Sequence, residues 1–113
     1  MNFSYEGVGY MALTIPNKDA AAGKLCKIGL DGRCETCASG DHFMGLVEEA
    51  DAYRAAVQIE GFVSVKYTGE EPLIGFSKLS SNGSGGVKLD RTAGREYLVI
   101  DTDSVNAIVT FKL

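Results

Sequence analysis

The residues best equipped for chemistry are Cys26, Cys34, Cys37 and His42, the three cysteines and the only histidine of the chain, in the order C-x7-C-x2-C-x4-H. Thiolates and imidazole are zinc ligands, and four of them suffice for one tetrahedral ion. This spacing matches no established zinc pattern, and the local backbone argues further against it. Asp31-Gly32 is a favoured two-residue hairpin turn because both positions tolerate positive φ. It predicts Leu30 opposite Arg33, Gly29 opposite Cys34 and Cys26 opposite Cys37. In that register Cys34 points away from the face that carries Cys26 and Cys37, and thiols on opposite faces cannot share an ion. They read as reduced, packed core thiols, and an odd number does not suggest a disulfide framework. A Cys26–Cys37 bridge would fall on a hydrogen-bonded strand pair, whose wide Cα separation suits bridging poorly. A redox pair Cys34-Glu35-Thr36-Cys37 would want its first thiol at a helix N-terminus, and nothing here supplies that helix.

The remaining candidates are weaker. Cys34 or Cys37 as a nucleophile with His42 as base lacks a third orienting group and an oxyanion-hole loop. Ser80 to Gly86, SSNGSGG, followed by Lys88, matches neither phosphate-loop pattern and reads as a mobile hairpin loop. Asp90 and the Asp101/Asp103 pair lack the other ligands and the glycine of a calcium loop. Glu48, Glu49, Asp51, Glu70 and Glu71 read as solvated turn carboxylates. No catalytic, cofactor-binding or metal-binding residue is therefore expected, and no cofactor; the chain reads as a non-enzyme.

The elements that would position these residues are strands. From Arg54 to Tyr67 the odd positions carry Ala55, Val57, Ile59, Gly61, Val63, Val65 and Tyr67, a period of two with one face meant for a core. Gly61 interrupts it and predicts a bulge or sharp bend, with the two arms in different parts of a curled sheet. A first strand is expected over 9–15, ended by Pro16 and Asn17, and 17–23 has room for one helical turn. Strands are also expected around the Asp31-Gly32 turn, over 42–48 after a Ser39-Gly40-Asp41 turn, over 73–79, and in three further runs at 87–89, 96–101 and 107–113. An amphipathic helix through 46–57 competes with the strand reading, since Leu46, Val47, Ala50, Tyr53 and Val57 fall near helical spacing. The fold class predicted is all-β, a small barrel or sandwich of about eight short, mostly antiparallel strands over 9–113, preceded by an N-terminal arm over 1–8.

Composition narrows the function classes. The 113 residues hold 11 Lys and Arg against 15 Asp and Glu, for a net charge of −4. Scattered basic residues in an acidic chain argue against nucleic acid, which needs clustered cations to displace counterions. MNFSYEGVGYMALTIP has no basic stretch followed by an apolar core, so no leader is expected, and no run approaches the length that spans a membrane. The expectation is a soluble chain made in the cytosol.

The order of elements resembles that of small phage and prophage capsid decoration, or head-stabilising, proteins. The residues that carry it are AAAGKLCKIGLDGRCETCASGDHFMGLVEEA at 20–50 and AAVQIEGFVSVKYTGEEPLIGFSKLSSNGSGGVKL at 55–89. A short strand, a glycine turn, a strand and an A-x-G-D, G-x-V hairpin precede a V-x-V-x-G-x-V-x-V-like strand pair, then a G-x-x-L strand and a Gly/Asn turn. The three cysteines and the acidic, Ala-rich 48–56 segment depart from that pattern. The resemblance implies a β-barrel that binds the outer capsid shell without chemistry, cementing the major capsid protein, often as a homo-oligomer, with no nucleic acid or membrane partner. Phe3 and Tyr5 in the arm and Phe111 in the last strand are the candidate partner-binding residues. A stand-alone barrel that binds a small ligand or peptide is the alternative.

Overall fold

Short alternating runs separated by turn residues become ten strands in the computed structural model, which describes residues 10–113. In chain order they are β1 (Met11–Pro16), β2 (Leu25–Ile28), β3 (Cys34–Thr36), β4 (Gly45–Ala50), β5 (Arg54–Glu60), β6 (Phe62–Thr68), β7 (Gly75–Ser81), β8 (Val87–Leu89), β9 (Arg95–Asp103) and β10 (Ile108–Lys112). Five of them close into a barrel in the order β10-β6-β8-β7-β9, and the other five form an open antiparallel sheet, β1-β5-β4-β2-β3. The fold is the all-β class expected, with ten strands rather than about eight. The arm over 1–8, with Phe3 and Tyr5, lies outside the described residues.

Gly61 is the joint between the two sheets. Its φ of 105° is open to glycine and strained for residues with a Cβ, and it turns the chain out of β5 in the sheet into β6 in the barrel. Gln58, on the polar side of the alternation, is nevertheless buried: its amide donates to the carbonyls of Glu60 and Phe62, both at 3.1 Å, so the side chain braces the bend. The expected period two holds across the joint, with Ala55 and Val57 buried on one arm and Val63, Val65 and Tyr67 on the other.

The barrel interior is filled by side chains. Leu79, Val87, Val109 and Phe111 are fully buried, and three rings meet there. Phe43 stacks on Tyr97 with centroids 4.9 Å apart, and Phe111 tilts against both, at 5.8 Å from Phe43 and 5.2 Å from Tyr97. Leu25, Cys37 and Phe43 reach this core from the sheet side of the molecule. A second, smaller core of Ala20, Cys26, Cys34, Val47, Ala55 and Val57 lies within the open sheet, with Ile15, Met44 and Ile59 at its margin.

Several local readings are decided: over 46–57 the strand reading holds against its helical competitor, and two others are corrected. The 46–57 segment is a strand hairpin turned by Asp51, whose carboxylate accepts from the Tyr53 and Arg54 amides at 2.7 and 2.8 Å, and not a helix. Residues 17–23 form bends and a turn, with no helical turn. The SSNGSGG segment is not a loose loop throughout: Ser80 and Ser81 belong to β7 and are fully buried. Backbone bonds from Gly40 to Ser81, from Ser81 to Asp41 and from Leu25 to the Gly85 carbonyl, at 2.8, 3.0 and 3.0 Å, stitch this segment to the sheet.

The two ends of the open sheet differ. Along β3 the backbone groups are taken up by residues 17–19: the Lys18 amide donates to the Cys34 carbonyl at 2.9 Å and the Thr36 amide to the Asp19 carboxylate at 2.9 Å. Beside β1, no strand among the described residues pairs with the outer edge.

Candidate interaction surfaces

Along β7 the alternation puts Ser77 and Leu79 inside the barrel and turns Phe76 out, where its ring is 70% exposed. Just ahead of the strand, Leu73 and Ile74 are also exposed, and the Ser77 hydroxyl donates to the Leu73 carbonyl at 2.8 Å, which fixes this entry turn against the barrel wall. The register sets Phe76 beside Leu98 of β9, and Leu98 beside Lys112 of β10. Phe76 thus stands on the outer wall next to a half-buried leucine and a lysine, with Leu73 and Ile74 exposed in the turn that leads into its strand. Covering one such ring is worth about 1.5–3 kcal/mol. Clustered exposed apolar side chains of this kind are what protein-binding surfaces are built from.

The chemistry-capable residues are arranged differently from the sequence expectation. The β2–β3 hairpin pairs Cys26 with Thr36, Lys27 with Glu35 and Ile28 with Cys34, one residue out of the expected register. Leu30, Asp31 and Gly32 form a three-residue loop in which the Gly32 amide bonds the Gly29 carbonyl and Gly32 takes φ 80°, so Gly29 closes against Arg33. A one-residue slip exchanges faces. Cys26 and Cys34, expected on opposite faces, therefore share the sheet core with their thiols in contact, and Cys37 sits apart in the barrel core.

Burial is the first cause raising the pKa of all three thiols, with contact between Cys26 and Cys34 adding to that of Cys26; Cys37, also near the Asp41 carboxylate, is pushed up to about 11. They are protonated thiols at neutral pH, poor nucleophiles and poor metal ligands as they stand. His42 is engaged elsewhere, its Nε2 2.8 Å from the Ala93 carbonyl, where it ties the segment before β4 to the turn before β9. Among the described residues no group of three or more His, Cys, Asp or Glu could hold a metal.

The turn carboxylates are bound to their own backbones. Asp90 accepts from the amides of Thr92 and Ala93 and from the Ser80 hydroxyl, and Asp103 from Asn106 and Val105. Asp103 in this way caps the β9–β10 turn, while Asp101 lies within β9 opposite Thr110. Lys88, behind the glycine-rich segment, donates to the Ser39 hydroxyl at 2.9 Å as part of the same seam.

Phe111 is corrected as a partner-binding candidate: it is fully buried, with its ring against Phe43 and Tyr97. The strand alternation of 107–113 showed one apolar face but not that β10 lies between β6 and β9, where that face turns inward. Phe3 and Tyr5 lie outside the described residues. Phe76 and Ile74 were not singled out from sequence. Their signal was apolar residues on both faces of one strand, Phe76 in phase with Ile74 and out of phase with Leu79. No family model, curated protein or solved structure matches the chain.

Proposed function

We propose that this chain is a structural, non-catalytic protein that binds the outer face of a phage-like capsid shell, made in the cytosol and carried on the virion surface. The observation that carries the reading is the apolar group on the barrel's outer wall, Leu73, Ile74 and Phe76, which contributes nothing to the chain's own core. The order of elements supports the shell as the partner. A small-ligand barrel is less well supported, because the barrel interior is occupied by Val63, Val65, Leu79, Val87, Val109 and Phe111.

The test is co-sedimentation with purified particles of the parent phage or prophage stripped of this chain. The native chain is expected to pellet in a fixed ratio to the major shell subunit, and Phe76→Glu to weaken that binding about tenfold or more with an unchanged melting curve. A native chain that stays in the supernatant overturns the reading. A Phe76→Glu chain that binds as well as native removes this wall as the contact.

A further inference from the structure

We infer that the outer edge of β1 pairs with β1 of a second copy, antiparallel about a two-fold axis at Leu13. This pairing does not depend on the capsid reading. Its basis is the direction of the backbone groups. The Asn17 amide donates to the Tyr53 carbonyl, and the β1–β5 register continues from there through Ile15 opposite Ala55 and Leu13 opposite Val57. In an antiparallel pair hydrogen-bonded positions alternate, so Asn17, Ile15 and Leu13 spend their backbone groups on β5, and Ala12 and Thr14 direct theirs outward. Pro16 also falls on the outward set, with a carbonyl and no amide. An axis at Leu13 sets Ala12 of one copy opposite Thr14 of the other, and the reverse, so each outward amide of both residues meets an outward carbonyl. Pro16 then lies opposite Tyr10, where its carbonyl can accept and its missing amide matters least.

The side chains point to the same occupant. Met11, Leu13 and Ile15 are placed symmetrically about Leu13, and the strand carries no charge. Val47, Val57 and Leu13 form one cross-strand row that is buried until it reaches the edge, where Leu13 is 42% exposed. The two-fold continues that row into Leu13, Val57 and Val47 of the second copy. β1 carries no lysine and no inward charge; the devices it has are Pro16 at its end and a register irregularity against β5 at Met11/Ala12, both outside the Ala12–Thr14 stretch that pairs, whereas β3 at the far side is short and bonded to residues 17–19.

Sedimentation velocity of the full chain over a micromolar range tests this. A monomer–dimer equilibrium is expected for the native chain. Leu13→Lys, which sets two ammonium groups opposite each other at the axis, should raise the dimer dissociation constant by about tenfold or more. Thr14→Pro removes only an outward amide and should weaken the dimer similarly, which keeps the test decisive if the lysine variant fails to fold. Phe76→Glu and a chain lacking residues 1–8 should both remain dimeric. A native chain that is monomeric throughout, a dimer indifferent to Leu13→Lys or Thr14→Pro in folded protein, or a dimer lost with residues 1–8 would each overturn the proposal.

Discussion

The barrel and the open sheet are built from the same number of strands, yet they solve the edge problem in opposite ways. Closure in the order β10-β6-β8-β7-β9 uses the backbone groups of the barrel within itself, and its core holds the large side chains, Phe43, Tyr97, Phe111 and Leu79. The sheet ends at β1 and β3, and its core is made of small residues, two cysteines, two alanines and two valines among them. Buried area scales with side-chain size, so the barrel supplies most of the stability and the sheet supplies the surplus backbone valence that association can use. The sheet is nonetheless not independent, since Leu25, Cys37 and Phe43 are lodged in the barrel core.

The largest effect should come from Phe111→Ala, which empties a ring site shared with Phe43 and Tyr97 and should cost about 3–5 kcal/mol in denaturant unfolding. Val57→Ala in the sheet core removes two methyl groups and should cost about 2 kcal/mol. Equal losses from the two would break the comparison. Gly61→Ala, at φ 105°, should cost about 1–2 kcal/mol while leaving one transition; two separated transitions would show that the sheet and the barrel unfold independently.

The smallest effect is the acid limb. Lys27 lowers the carboxyl of Asp41, the Tyr53 amide that of Asp51, the Ala93 amide and Ser80 that of Asp90, and Asn106 that of Asp103. A carboxyl depressed in the folded state stabilises above its unfolded value and loses that contribution as the pH falls through the folded one. Melting temperature should therefore hold steady above about pH 5 and decline below about pH 4. Asp51 belongs to the sheet and Asp90 to the barrel, so Asp51→Asn and Asp90→Asn report the acid limb of each half separately in thermal scans. A melting temperature that stays level down to pH 3 would remove these turns from the stability account.

How far the sequence could be read depends on the range of the forces involved. The alternation of 54–67 and the bend at Gly61 are local properties, and both were legible, down to the two arms entering different parts of the β structure. The hairpin register was not, because Asp31-Gly32 fits a two-residue turn and a three-residue loop equally well, and the choice rests on which residues the rest of the sheet buries. Ser80 and Ser81 looked like linker residues, yet they are buried where the Asp90 carboxylate and the Asp41 backbone meet them, partners distant in sequence. The outer-wall group was hidden for a related reason: whether Phe76 or Leu79 faces the core is fixed only once β7 is placed between β8 and β9.

The joint at Gly61 has a consequence in time as well as in space. The two arms it connects lie mid-chain, yet β5 pairs with the first strand, Val57 beside Leu13, and β6 with the last, Val63 beside Phe111. A nascent chain can complete the sheet only after β5 has been made, and can close the barrel only after β10 has followed. Such widely separated pairings place the folding of this chain among the slow topologies, milliseconds to seconds. Until β10 arrives, β6 stands open on the very flank that the finished barrel conceals.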